Sequence, residues 1–291
     1  MNRALALLLT FVLSAGLGCR GQGEAAVIVG SKNFTEQVVL AELIAQELEA
    51  RGQRVERRVN LGGTLLCHQA VRSGEIHVYV EYTGTALTAV LSLPAQPDRE
   101  QVRQRVGDEY AKRFGLEVGP PLGFNNTFAI VVRGEDARQR KLKTISDAVP
   151  HAGNWRAGFG YEFLERPDGY RGLADTYGLE FGSPPRVMEL GLVYRALKEN
   201  QVDLVAGNST DGVIELLDLV ILEDDRGYFP PYEAVPVVNR AALERFPELR
   251  AVLDSLAGSL SDAAMRRLNY AVDGEQRDVR QVVADFRRSR K

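Results

Sequence analysis

Ile76-His77-Val78-Tyr79-Val80-Glu81-Tyr82-Thr83-Gly84-Thr85 is the stretch around which the chain is organised. Ile76, Val78 and Val80 alternate with His77, Tyr79 and Glu81, the pattern of a half-buried strand. The run breaks at Tyr82 into a Thr-Gly-Thr turn, where Thr83 or Thr85 is placed to cap a helix starting near Ala86. A strand end and a helix start meet at this junction. Helix-start N–H groups attract carboxylates and a tyrosine face attracts cations, so the junction offers both halves of a zwitterion site, with Tyr82 as a pocket residue.

The chain repeats the pattern. Aligned without a gap, Ala70-Val71-Arg72-Ser73-Gly74-Glu75 leads into the quoted run as Ala196-Leu197-Lys198-Glu199-Asn200-Gln201 leads into Val202-Asp203-Leu204-Val205-Ala206-Gly207-Asn208-Ser209-Thr210-Asp211. Each copy runs from a helix end through a polar turn and an apolar strand to a Ser/Thr-rich helix start, and Asn208 falls opposite Tyr82. Two similar lobes facing one cleft follow from this reading.

At the N-terminus, Arg3, the apolar run Ala4 to Leu13 and the small residues Ser14, Ala15, Gly16 and Gly18 read as a secretion signal over residues 1–19. The apolar run is shorter than the roughly 20 residues a bilayer span requires. Gly16-Leu17-Gly18-Cys19 resembles the processing motif of bacterial lipoproteins, with Gly16 in place of the usual leucine. The expectation is lipid attachment at Cys19 followed by a glycine-containing tether over 20–25, with soluble secretion as the alternative. The remaining chain of about 270 residues suits two lobes with their own cores. With 36 basic and 39 acidic residues the formal charge is −3, which gives a nucleic-acid role no support. With Cys19 lipidated, Cys67 has no disulfide partner and reads as a small buried hydrophobe.

Val27-Ile28-Val29-Gly30 reads as the first strand and delivers Ser31-Lys32-Asn33 to a helix from about Thr35 to Ala50, with Asn33 and Glu36 at capping-box spacing. Lys32, at the strand's C-terminal end, is placed to meet an anion. His68, His77 and His151 are scattered without metal-ligand spacing, there is no Gly-x-x-x-x-Gly-Lys loop, and Gly158-Phe159-Gly160 lacks the third glycine of a dinucleotide fingerprint. No enzymatic role and no cofactor are expected.

Gly30-Ser31-Lys32-Asn33-Phe34-Thr35-Glu36-Gln37, Asn60-Leu61-Gly62-Gly63-Thr64, Glu81-Tyr82-Thr83-Gly84-Thr85 and Phe124-Asn125-Asn126-Thr127 resemble the substrate-binding proteins of osmoprotectant ABC importers, which take glycine betaine, choline, carnitine and related quaternary amines. Glu162-Phe163-Leu164-Glu165-Arg166-Pro167-Asp168-Gly169-Tyr170, Ser209-Thr210-Asp211-Gly212 and Phe229-Pro230-Pro231-Tyr232 extend the resemblance over essentially the whole mature chain. It implies an α/β, two-lobed periplasmic-binding-protein fold of type II with two crossover hinge segments, residues 26–127 plus 232–291 forming one lobe and 128–231 the other. Asn125 to Val132 and Phe229 to Val238 are the candidate crossings, and the helices after Ala241 would pack on the first lobe. It further implies an extracytoplasmic protein that passes its ligand to permease subunits. The family's ammonium cage, four mostly tyrosine side chains, falls on Tyr82, Phe128, Asn208 and Tyr232, so that one aromatic wall is replaced by an amide. The carboxylate end falls on Lys32, Thr85 and Arg166, the last able to grip both oxygens of a carboxylate. A receptor for another polar zwitterion, such as an amino acid derivative, stays open beside a quaternary-amine receptor.

Overall fold

A computed structural model describes residues 25–290, so the signal, Cys19 and most of the tether lie outside the described residues. Ten strands form two sheets: β1 (Val27–Gly30), β2 (Val55–Arg58), β3 (Val78–Tyr82), β4 (Leu116–Val118) and β10 (Ala234–Asn239) in one, β5 (Phe128–Arg133), β6 (Ala157–Gly160), β7 (Arg186–Met188), β8 (Leu204–Asn208) and β9 (Leu219–Leu222) in the other. The orders are β2-β1-β3-β10-β4 and β7-β6-β8-β5-β9. In each, three parallel strands are followed by one strand running antiparallel to both its neighbours. The two sheets are therefore built alike, and β3 corresponds to β8.

The chain passes between the sheets twice, after β4 and after β9, and the two passages run side by side. The Asn126 N–H donates to the Tyr232 carbonyl (3.0 Å), and the Tyr232 N–H to Asn125 Oδ1 (2.7 Å). Fold class and crossings are as the sequence implied.

The strand alternation has a different cause from the one expected. All five residues of β3 are buried, so this strand faces solvent on neither side. Val78, Val80 and Tyr82 enter the core under α1 (Thr35–Ala50), whereas Tyr79 enters a second core with Cys67 and Val71 of α2 (Thr64–Ser73). Cys67 is fully buried, and desolvation pushes its thiol up to about 12. Leu249, Val252, Met265, Leu268, Val282 and Val283 of the C-terminal helices complete the core beneath α1.

Both expected caps are absent. Helix α1 starts from Phe34 with no side-chain cap. The turn after β3 is helical from Thr83 onward, and the Thr83 hydroxyl instead donates to the Pro231 carbonyl at 3.0 Å. Gly84 is required there because a Cβ would stand 2.7 Å from the Tyr232 ring. The second crossing thus packs directly on the turn that follows β3.

Candidate functional site

Tyr82 is the last residue of β3 and Asn208 the last of β8, each paired in register with a residue of the antiparallel strand beside it, Ala234 and Phe128. The shared architecture therefore delivers equivalent positions from the two sheets to one cleft of about 840 Å³. All seven residues singled out from sequence, Lys32, Tyr82, Thr85, Phe128, Arg166, Asn208 and Tyr232, line it.

The polar groups of the two tyrosines and of both cations already have protein partners. Tyr82 is 4% exposed, and its hydroxyl donates to Glu36 Oε1 (2.6 Å) and accepts from Gln37 Nε2 (3.0 Å). The Tyr232 hydroxyl donates to Asp168 Oδ2 (2.5 Å). Burial pushes both phenols well above their ordinary value, so both remain neutral. Lys32 Nζ is ion-paired with buried Glu81 and donates to Thr64 Oγ1 at 3.0 Å. Glu81 also accepts from the Tyr79 hydroxyl (3.1 Å) and the Tyr82 N–H (2.8 Å). Arg166 grips Asp168 with two N–H groups (2.9 and 2.5 Å). Burial opposes both of these charges, but the pairing outweighs it, raising the guanidinium and holding the Asp168 carboxyl below its usual range.

These cations also face the rings. Lys32 Nζ lies 5.2 Å from the Tyr82 centroid, and the Arg166 guanidinium 4.8 Å from Phe128 and 5.8 Å from Tyr232. Each aromatic side chain of the expected cage already has a protein cation within cation–π range. Asn208 Nδ2 donates to Asp211 Oδ2 (3.3 Å), whereas its side-chain oxygen Oδ1 has no partner among the described residues.

Three contributors escaped the sequence reading, although all stand in the quoted motifs. Phe34 lines the cleft and stacks on Tyr82, with centroids 6.4 Å apart and planes inclined by 23°. Glu36, read as half of a capping box, is fully buried and accepts from Tyr82, Asn126 (2.8 Å), Thr210 (2.5 Å) and Asn269 (3.1 Å). Burial raises its carboxyl against the pull of these four donors. Glu162, on the short helix Tyr161–Glu165 beside the second sheet, accepts from the Thr64 N–H at the start of α2 (2.7 Å), joining the lobes across the cleft. A Cβ on Gly63 would stand 2.2 Å from that carboxylate, so glycine is needed for the contact.

Among the described residues there is no cluster of His, Cys, Asp or Glu able to hold a metal, and the cleft offers ring faces, paired charges and amides, a set suited to holding a ligand. Residues 25–289 match the family of substrate-binding domains of ABC-type glycine betaine transport systems. The chain belongs to that family. It is a solute-binding subunit of an ABC importer and not an enzyme. This family member is 34% identical over 287 residues to the carnitine transport binding protein OpuCC of Listeria monocytogenes, covering 96% of this chain and 93% of the relative. It is 33% identical over 266 residues to the ergothioneine transport permease/ergothioneine binding protein EgtU of Helicobacter pylori, covering 90% of this chain but only 47% of that longer relative. A solved glycine betaine/carnitine/choline ABC transporter structure superposes with a TM-score of 0.76 at 32% identity, covering 90% of this chain and 98% of the other.

Proposed function

We propose that this family member captures a quaternary-ammonium zwitterion bearing a hydrogen-bond donor, between a lobe of residues 26–127 with 232–291 and a lobe of residues 128–231, and delivers it to a permease. The ammonium lies against Tyr82, Phe128 and Tyr232, with Phe34 extending the aromatic wall, and the anionic end meets Lys32, Thr85 and Arg166. The observation that carries this reading is Asn208. It stands in register beside Phe128 where an aromatic wall is expected, and it offers the cleft a side-chain oxygen that no group among the described residues uses. A trimethylammonium has no N–H to give that oxygen, whereas the hydroxyl of carnitine or a ring N–H such as ergothioneine carries is a donor suited to it. The names of the two relatives agree with such ligands.

Calorimetry with carnitine and glycine betaine tests the proposal. The wild-type protein is expected to prefer carnitine. Asn208→Tyr is expected to tighten glycine betaine by about twofold to thirtyfold, since one ring contributes about 0.5–2 kcal/mol to a bound cation. Tight glycine betaine binding by the wild type that the added tyrosine weakens would exclude Asn208 as the altered wall.

We also propose that Cys19 carries lipid and tethers the protein to the outer face of a bacterial membrane, on the strength of Arg3, the apolar run and the small residues before Cys19. Labelled fatty acid is expected to enter the wild-type protein and not a Cys19→Ala variant. Equal labelling of the two would remove the anchor.

A further inference from the structure

The cleft continues outward from the rings, and its outer part has a different chemistry. Tyr82 and Tyr232 are 4% and 2% exposed, but Leu65 and Leu66 on the first turn of α2 are 64% and 62% exposed, and across the cleft Tyr161 and Val187 are 68% and 67% exposed. All four line the same cleft as the rings. Large apolar side chains held in water on facing walls mark a surface that meets something apolar. Among the described residues of the lining the basic side chains, Lys32 and Arg166, are only 4% and 9% exposed, whereas Glu162, Glu165 and Glu189 add negative charge. An anionic appendage is therefore disfavoured in the outer part. The volume of about 840 Å³ matches a drug-sized ligand better than a small betaine alone.

We propose that the outer cleft is a subsite for a neutral apolar chain, so that the protein accepts quaternary amines carrying an acyl or comparable hydrocarbon appendage, seated between Leu65 and Leu66 on one side and Tyr161 and Val187 on the other. This rests on the quaternary-amine reading above and deepens it. Continuity with the ring-lined cleft assigns the patch to the ligand in preference to a docked protein, and the two walls belong to opposite lobes, joined beside the patch by the Thr64 N–H to Glu162 hydrogen bond, so a chain seated there meets both.

The test is calorimetry of the purified protein with acetyl-, butyryl- and hexanoylcarnitine, each below its micellar concentration. Affinity is expected to rise about twofold per added methylene on this half-exposed surface, at least tenfold from acetyl to hexanoyl. In a Leu65→Ser/Val187→Ser variant the hexanoyl-to-acetyl ratio is expected to fall below threefold. Equal affinity along the series overturns the subsite and leaves the quaternary-amine reading standing. Failure of every member to bind overturns both. A wild-type gradient that the double variant preserves overturns these walls as the subsite and assigns the exposed patch to another occupant, such as the permease or a second copy of the chain.

Discussion

Lys32→Met is expected to destabilise the protein by about 3–5 kcal/mol, the cost of leaving a buried charge without its partner. Glu81 is fully buried, and Lys32 is the cation that neutralises it. The hydrogen bonds from Tyr79 and the Tyr82 N–H remain in the variant but supply no charge. Chemical unfolding of Lys32→Met, Glu81→Gln and the double variant would resolve the pair. The double variant should be more stable than the sum of the single losses implies, because neither charge is then stranded. A loss below about 1 kcal/mol in Lys32→Met would mean that water reaches Glu81.

Arg166→Met is the second large expected effect, and it falls on ligand binding as well as on stability. The guanidinium neutralises Asp168, which is 4% exposed, and lies against the Phe128 and Tyr232 rings. Methionine keeps much of the packing and removes the charge. Asp168 retains the Tyr232 hydroxyl, so the folding loss is again about 3–5 kcal/mol at most. With Arg166 placed at the ligand's anionic end as proposed, its loss is expected to weaken carnitine by about a hundredfold, of the order of 3 kcal/mol. Calorimetry on a variant shown to be folded measures this. A change below threefold would remove Arg166 from ligand recognition and leave it a structural partner of Asp168.

The internal repeat was readable because it rests on local patterns. A helix end, a polar turn and an apolar strand recur at a fixed offset, and they place Tyr82 and Asn208 at the ends of β3 and β8. The family motifs brought all seven predicted residues to one cleft. The pairing of those residues was hidden for a physical reason. Lys32 and Glu81 are 49 positions apart, and nothing in either neighbourhood marks which of many acidic residues a lysine will meet. Glu36 shows the opposite error. Its distance from Asn33 fits a local cap, but tertiary packing presents it with four donors from distant segments, and these decide its place. The β3 alternation likewise marked two different cores rather than core and solvent, a distinction set by what packs on each face.

The contacts between the lobes bear on capture. Glu162 with the Thr64 N–H at one side of the cleft, and Thr210 with Glu36 and Asn269 at another, join protein to protein. On the proposed capture between two lobes, their free energy favours the shut arrangement whichever solute is present. A ligand enters through the open population, so its association rate scales with the fraction of molecules open at that moment. Strengthening these bridges would give the permease a better-formed partner and at the same time leave fewer molecules ready to load. The Thr64–Glu162 contact that Gly63 makes room for would thus, on the proposed capture, be a setting on the balance between scavenging a dilute solute and presenting it.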